Sequence, residues 1–154
     1  MALADLIKQN AVLPALRANS KKQLLQEMSA AAAQLTGLPE REIFDVVLQR
    51  ERLGSTGVGN GIAIPHGKMP SLNEIVGIFA RLETPVDFEA LDDQPVDLVV
   101  LLLAPEGAGA DHLKALSRIA RVMRDGELVD KMRTTSDAAT LYAFLNESQA
   151  SNAA

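Results

Sequence analysis

Residues 96–103, VDLVVLLL, are apolar at every position but Asp97. A strand with one face in water would alternate apolar and polar residues. This run does not, so it predicts a central strand buried on both faces. Its sheet must be covered by other layers, and the rest of the chain supplies helical patterns on both sides of the run. Helices and strands interleave, which gives an α/β class: one domain with a mixed sheet covered by helices.

The flanking elements follow from local signals. Residues 2–7 predict a short helix, and residues 11–13 an edge strand stopped by Pro14. Ser20 is an N-cap for a helix reaching about Thr36, with Leu24, Leu25, Met28 and Leu35 on one face and Gly37 just past its end. A second helix from about Pro39 to Arg52 carries the stripe Ile43, Phe44, Val47 and Leu48. The short connection predicts an antiparallel pair. Residues 74–82 read as a strand, and residues 86–88 as a short further one. After the central strand a helix is expected over residues 111–124, with Leu113, Leu116, Ala120 and Met123 inward and Lys114, Arg118 and Arg121 in solvent. A short helix follows over residues 127–132. Ser136 is the expected cap of a last helix ending near Asn146. Residues 1–148 then form the domain, and residues 149–154 a disordered tail.

The chain of 154 residues carries a formal net charge of −5, which disfavours nucleic acid and anionic membrane as partners. It has no cysteine, so disulfides, thiolate metal sites and thiol catalysis are excluded. No stretch is long and apolar enough for a membrane span. Asp5 interrupts any apolar core at the N-terminus, so no signal peptide is expected. A cytoplasmic protein is the resulting expectation.

The densest chemical signal is residues 54–67, GSTGVGNGIAIPHG. Gly54, Gly57, Gly59 and Gly61 give a backbone able to expose its amides, with Ser55 and Thr56 between them. His66 is held between Pro65, which restricts the chain, and Gly67, which lets it turn. One reading is a nucleophilic histidine beside a phosphate cradle. The other is a tight loop in which His66 is a turn residue. The pattern is neither a P-loop nor a dinucleotide fingerprint. The other histidine, His112, opens a helix after the buried strand, where helix N-terminal amides favour an anion. Alternatively it is an exposed first-turn residue behind an Asp111 cap. Arg50 and Arg52 precede the glycine segment and can reach a phosphate, or can be helix-end charges favoured by the dipole. His66, His112 and Asp111 lack metal-ligand spacing, so no metal is expected. Ser55 and Thr56 lack the elbow of a hydrolase nucleophile.

These residues carry a resemblance. Arg50-Glu51-Arg52, Ser55-Thr56-Gly57, Gly59 and the run Gly61-Ile62-Ala63-Ile64-Pro65-His66-Gly67 resemble the signature of phosphotransferase-system IIA domains of the fructose/mannitol/nitrogen group. Leu101-Leu102-Leu103-Ala104-Pro105-Glu106, with His112-Leu113, Leu116 and Ala120-Arg121, is similar to that group's second block. The resemblance implies a mixed sheet of about five strands with helices on both faces. It implies that His66 is phosphorylated at Nε2, that His112 assists, and that Arg50 lies at the site. Ser55, Thr56, Gly57, Gly59 and Gly61 are then the expected phosphate-binding loop. The implied donor is an HPr-type phosphocarrier, and no cofactor is implied. Of the types in the group the chain looks most like the nitrogen regulatory IIA, whose implied targets are sensor kinases and potassium transport proteins. A sugar-transport IIA passing phosphate to a IIB partner, and a regulator that only binds partners, are the alternatives. Ile62, Ile64, Val58 and Met69 are the expected apolar rim of the site.

Overall fold

The structure is a computed structural model that describes residues 3–153, with side chains over residues 3–146. In chain order the elements are α1 (Leu3–Leu6), β1 (Val12–Leu16), α2 (Lys21–Thr36), α3 (Glu40–Arg52), β2 (Gly57–Gly59), β3 (Ile62–Ala63), β4 (His66–Met69), β5 (Val76–Val86), β6 (Val96–Pro105), α4 (Ala110–Val122), α5 (Gly126–Arg133) and α6 (Ala138–Ala153). The strands form one mixed sheet in the order β1-β5-β6-β3-β2, and β4 also pairs with β6. The α/β class and the mixed sheet between helices are as expected.

The expected central strand is β6, whose residues from Leu98 to Ala104 are all buried. Each fully buried leucine there contributes roughly 1.5–3 kcal/mol. β6 pairs antiparallel with β5 and parallel with both β3 and β4. β3 and β4 keep one register along β6: Ile62 lies opposite Leu98, and His66 opposite Leu102. They are one strand interrupted at Pro65, which has no N–H to donate; its carbonyl accepts from the Leu102 N–H at 3.0 Å.

Paired residues share a face of the sheet, which decides where each helix lies. A Cβ at Gly77 would meet Ile7 at 2.9 Å, just after α1, and Gly77 is opposite Leu102. His66 is also opposite Leu102, so it points to the α1 face, where α4 packs too. A Cβ at Gly67 would lie 2.5 Å from Val46 Cγ1, so the alternate residue faces α3. α2 and α3 pack against each other on that side.

Several local details differ from expectation. β1 is the edge strand, but it runs through Pro14, whose carbonyl accepts from Arg81 Nη1 at 3.2 Å. An edge position tolerates the missing N–H. The two expected strands over residues 74–88 are one strand, β5, with a register shift between Arg81 and Val86. β2 and β3 form a hairpin around Asn60-Gly61, both at positive φ (57° and 80°), the backbone that a two-residue hairpin turn demands. α4 begins at Ala110 behind Gly109, and Asp111 is not its cap. The cap of α6 is Asp137, whose Oδ2 accepts from the Thr140 N–H at 2.9 Å, rather than Ser136. α6 continues past Asn146 to Ala153. Ala2, in the first expected helix, and Ala154, in the expected tail, lie outside the described residues. Among the described residues no helix is long and apolar enough to cross a membrane.

Candidate functional site

β4 pairs with β6 alone, so its other side is open. A depression of about 560 Å³ wraps this edge, lined by Val46, Gln49, Arg50 and Leu53 from the α3 side, His66, Gly67 and Lys68 of β4, and His112 of α4. The bare backbone of Gly67 lets α3 approach from one face while His66 and Lys68 stand on the other. His66, His112 and Arg50 therefore line one depression. Among the described residues no carboxylate lines the depression.

His66 is half-buried, and its Nδ1 lies 2.9 Å from the carbonyl oxygen of Ile64. A carbonyl only accepts, so Nδ1 is the ring atom that carries the hydrogen. In the neutral ring this leaves the lone pair on Nε2. Ile64 is two residues before His66, so its backbone faces the same side of the strand as that of His66, away from β6.

The His112 ring stands edge-on to that of His66, with centroids 5.6 Å apart and planes at 75°. His112 is only 6% exposed, and its Nε2 is buried without a hydrogen-bond partner. Burial, then the positive charges of His66 and Lys68, hold its pKa below the ordinary 6.5. It is thus neutral at pH 7. Its burial reverses the expectation of an exposed first-turn residue. The face of α4 is rotated accordingly: His112, Ala115, Ile119 and Val122 are inward, and Leu113 is 68% exposed. Lys114 and Arg121 are exposed as expected, whereas Arg118 is half-buried with its Nε enclosed.

Arg50 sits in the last turn of α3 and donates from Nη1 to the Gly54 carbonyl at 2.9 Å. This caps the helix end and holds the guanidinium in the depression. Arg52 and Ser55 line a different cleft, with Lys21, Lys22 and Glu89. Asp111 lines another, with Asp5 and Glu74, so it does not join the two histidines.

The glycine segment is not a cradle around His66. Ser55 Oγ donates to the Phe88 carbonyl at 3.2 Å and accepts from the Gly57 N–H at 3.1 Å. Thr56 donates its hydroxyl and its N–H to the Glu51 carboxylate. Gly57 and Gly59 belong to β2, and Gly61 turns the hairpin tightly beside Arg133 and Asp97. None of Ser55, Thr56, Gly57, Gly59 and Gly61 lines the His66 depression. Hydroxyls and glycines so placed serve the hairpin's own backbone, which a count of glycines does not distinguish from an anion site.

The expected apolar rim also moves. Ile62, Ile64 and Met69 are buried core residues, and only Val58 of that set is exposed. Of the exposed apolar residues, Leu53, 85% exposed at the end of α3, lines the depression, and Leu113 follows His112 in the chain. Lys68 was missed as a site residue. Its signal was its position two residues after His66, which puts both side chains on one face of a strand.

A family model described as phosphoenolpyruvate-dependent sugar phosphotransferase system, EIIA 2, matches residues 5–148. The nitrogen regulatory protein of Bradyrhizobium diazoefficiens is 61% identical over 145 residues, covering 94% of this chain and 95% of that one. The crystal structure of nitrogen regulatory protein IIA-Ntr from Neisseria meningitidis superposes with a TM-score of 0.88 at 33% identity, covering 93% and 98% of the two chains. The IIA mannitol structure from Escherichia coli shares the fold, with a TM-score of 0.75 at 18% identity over 89% and 96%.

Proposed function

The chain belongs to the phosphotransferase-system EIIA 2 family, and from that membership we propose that it is a nitrogen-type regulatory phosphocarrier charged on His66 Nε2. One observation carries the reading: His66 spends its Nδ1–H on the Ile64 carbonyl, leaving Nε2 as nucleophile in a depression lined by cations. The donor in this reading is a phosphohistidine carrier of the HPr type. The Nε2 lone pair forms the new N–P bond as the carrier's N–P bond breaks. The carrier nitrogen departs with that bond's electron pair and takes a proton from solvent. Such transfer demands placement and charge stabilisation more than covalent assistance.

The supporting residues have distinct roles. His112, neutral at pH 7 and beside the His66 ring, supplies a ring N–H to a phosphoryl oxygen once the ring turns into the depression; it contributes a hydrogen bond, not a charge. Arg50 keeps further N–H donors beyond the one on Gly54, in the planar form suited to phosphate oxygens. Lys68 adds a compact positive charge on the same strand. Leu53 and Leu113 form the apolar margin on which the carrier docks.

Regulation follows from charge. A phosphoryl group adds about −1.5 to −2 charges at pH 7, by analogy with phosphorylated hydroxyls. A target that seats an apolar or acidic surface on this margin binds the unmodified form and loses affinity for the phosphorylated one. Sensor kinases and potassium transport proteins are the proposed targets. The relatives named nitrogen regulatory protein favour this reading over a sugar-transport IIA.

The test is incubation with enzyme I, an HPr-type carrier and labelled phosphoenolpyruvate. Wild type takes up label that is acid-labile and base-stable, and His66→Ala takes up none while keeping its circular dichroism. Undiminished labelling of His66→Ala overturns the reading. Rapid passage of the label to a sugar-specific IIB instead supports the transport alternative.

A further inference from the structure

Glu51 breaks two local rules. It places a carboxylate in the last turn of α3, at the negative end of the helix dipole. It also buries that carboxylate: the residue is 6% exposed. Such a group is expensive unless paired and hydrogen-bonded, and even then a buried ion pair is seldom more stable than apolar packing. Breaches of this kind concentrate where function requires them.

The surroundings show what Glu51 holds. Lys21 Nζ lies 2.9 Å from its Oε2 and 4.6 Å from the centroid of the Phe88 ring. Both carboxylate oxygens accept from the Thr56 N–H at 3.2 Å, and Oε1 accepts from the Thr56 hydroxyl. The Thr56 carbonyl accepts from the Ile64 N–H at 3.0 Å. The Ile64 carbonyl accepts from His66 Nδ1 at 2.9 Å. A continuous run of hydrogen bonds and two short chain segments thus joins the buried carboxylate to the ring. The Ile64 N–H bond to Thr56 ties Ile64 to the residue before β2, on the side of the strand away from β6.

We propose that Glu51 is a positioning residue for His66: through Thr56 and Ile64 it fixes the carbonyl that keeps the hydrogen on Nδ1 and the lone pair on Nε2. This rests on His66 being the acceptor. Without the carboxylate, Thr56 loses the acceptor for two donors, the hairpin moves, and the Ile64 carbonyl leaves the ring. The Nε2–H tautomer then becomes populated, and that form has no lone pair at Nε2. Removing the outer partner that orients a metal-bound histidine costs about 10–100-fold in affinity or activity, and a loss of that order is expected for His66.

The experiment reads the tautomer directly, with no phosphate donor present. Ring nitrogen shifts of His66 are measured by NMR in wild type, Glu51→Leu, Thr56→Val and Thr56→Ser. Wild type and Thr56→Ser should show Nδ1–H almost alone in the neutral ring, because serine keeps both donors. Glu51→Leu, which removes both acceptor oxygens, and Thr56→Val should show a mixture of tautomers, and Glu51→Leu should accept phosphate at least tenfold more slowly. Thr56→Val stands in should Glu51→Leu fail to fold. Folded Glu51→Leu or Thr56→Val with a wild-type tautomer ratio overturns the proposal. A wild-type protein that takes no phosphate on His66 overturns the functional reading instead, and the two failures are told apart.

Discussion

Alanine at Gly67 tests how the two halves of the site are held together. The added Cβ would stand 2.5 Å from Val46 Cγ1, about 1 Å inside a normal carbon–carbon contact of ~3.5 Å. Val46 is β-branched, so its side chain has few rotamers in a helix and cannot simply swing aside. Relief requires α3 and β4 to separate. α3 carries Arg50 and β4 carries His66, so separation also opens the site. Overpacking of this kind costs ~1–3 kcal/mol. A domain of this size loses about 2–4 °C of Tm per kcal/mol, so Gly67→Ala should melt roughly 2–12 °C lower and accept phosphate more slowly. Val46→Ala deletes the obstructing methyls at a cost of ~1–2 kcal/mol. The double variant should then be more stable than the summed losses by about 1–2 kcal/mol, because the two side chains share one space. Urea denaturation of the four proteins measures this coupling. A Gly67→Ala protein as stable as wild type, or losses that add within ~0.5 kcal/mol, would refute the argument that glycine is needed for the approach of α3.

Other outcomes follow from the same geometry. His112→Ala should slow transfer about 10–1000-fold, the scale of one positioned polar group, with the phosphate still on His66; a wild-type rate in both directions would leave His112 a packing residue. Its lowered pKa also sets a sign: below the unfolded value of 6.5 the unfolded chain binds the extra proton first. The stability associated with neutral His112 is therefore complete above pH 6.5 and declines as pH falls through the lower folded value. His112→Gln should flatten that decline in urea titrations at pH 5.5 and 7.5, and an unchanged slope would assign the decline to other groups. Leu53→Asp and Leu113→Asp, at exposed positions, should leave Tm within about 2 °C, since surface changes cost ~0.5 kcal/mol or less. They should raise the KM for the phosphorylated carrier, and an unchanged KM in both would place docking elsewhere.

The sequence was most informative where burial is total or where a cap is local. β6 could be read because a strand covered on both faces has no polar alternation. α2 could be read from Ser20, which does accept from the Gln23 N–H at 3.1 Å, and from Gly37. The hairpin at Asn60-Gly61 had a local signal, the Asn-Gly pair, that the surrounding glycines obscured. β4 had none: it is a strand only because β6 continues beside it in unbroken register past Pro65. The buried face of α4 lies one residue away from the face that its apolar spacing predicts. Leu113, Leu116 and Ala120 fit helical spacing as well as His112, Ala115 and Ile119 do, and only the sheet decides which set is buried. At the site, the PHG segment and the helix start located both histidines. The Glu51–Thr56 contact stayed invisible, because hydroxyls that anchor a hairpin and hydroxyls that bind phosphate look alike in a sequence.

Phosphoryl acceptance depends on which ring nitrogen of His66 is free, and phosphorus–nitrogen coupling in the phosphorylated protein reads that directly. Wild type labelled with nitrogen-15 in histidine, charged through enzyme I and an HPr-type carrier, should show a single phosphohistidine at residue 66. The coupling should fall on Nε2, with Nδ1 still protonated and facing the Ile64 carbonyl. Phosphate on Nδ1 of His66, or on His112, would contradict the account, because the first requires the Ile64 contact to break and the second moves the acceptor to the other ring.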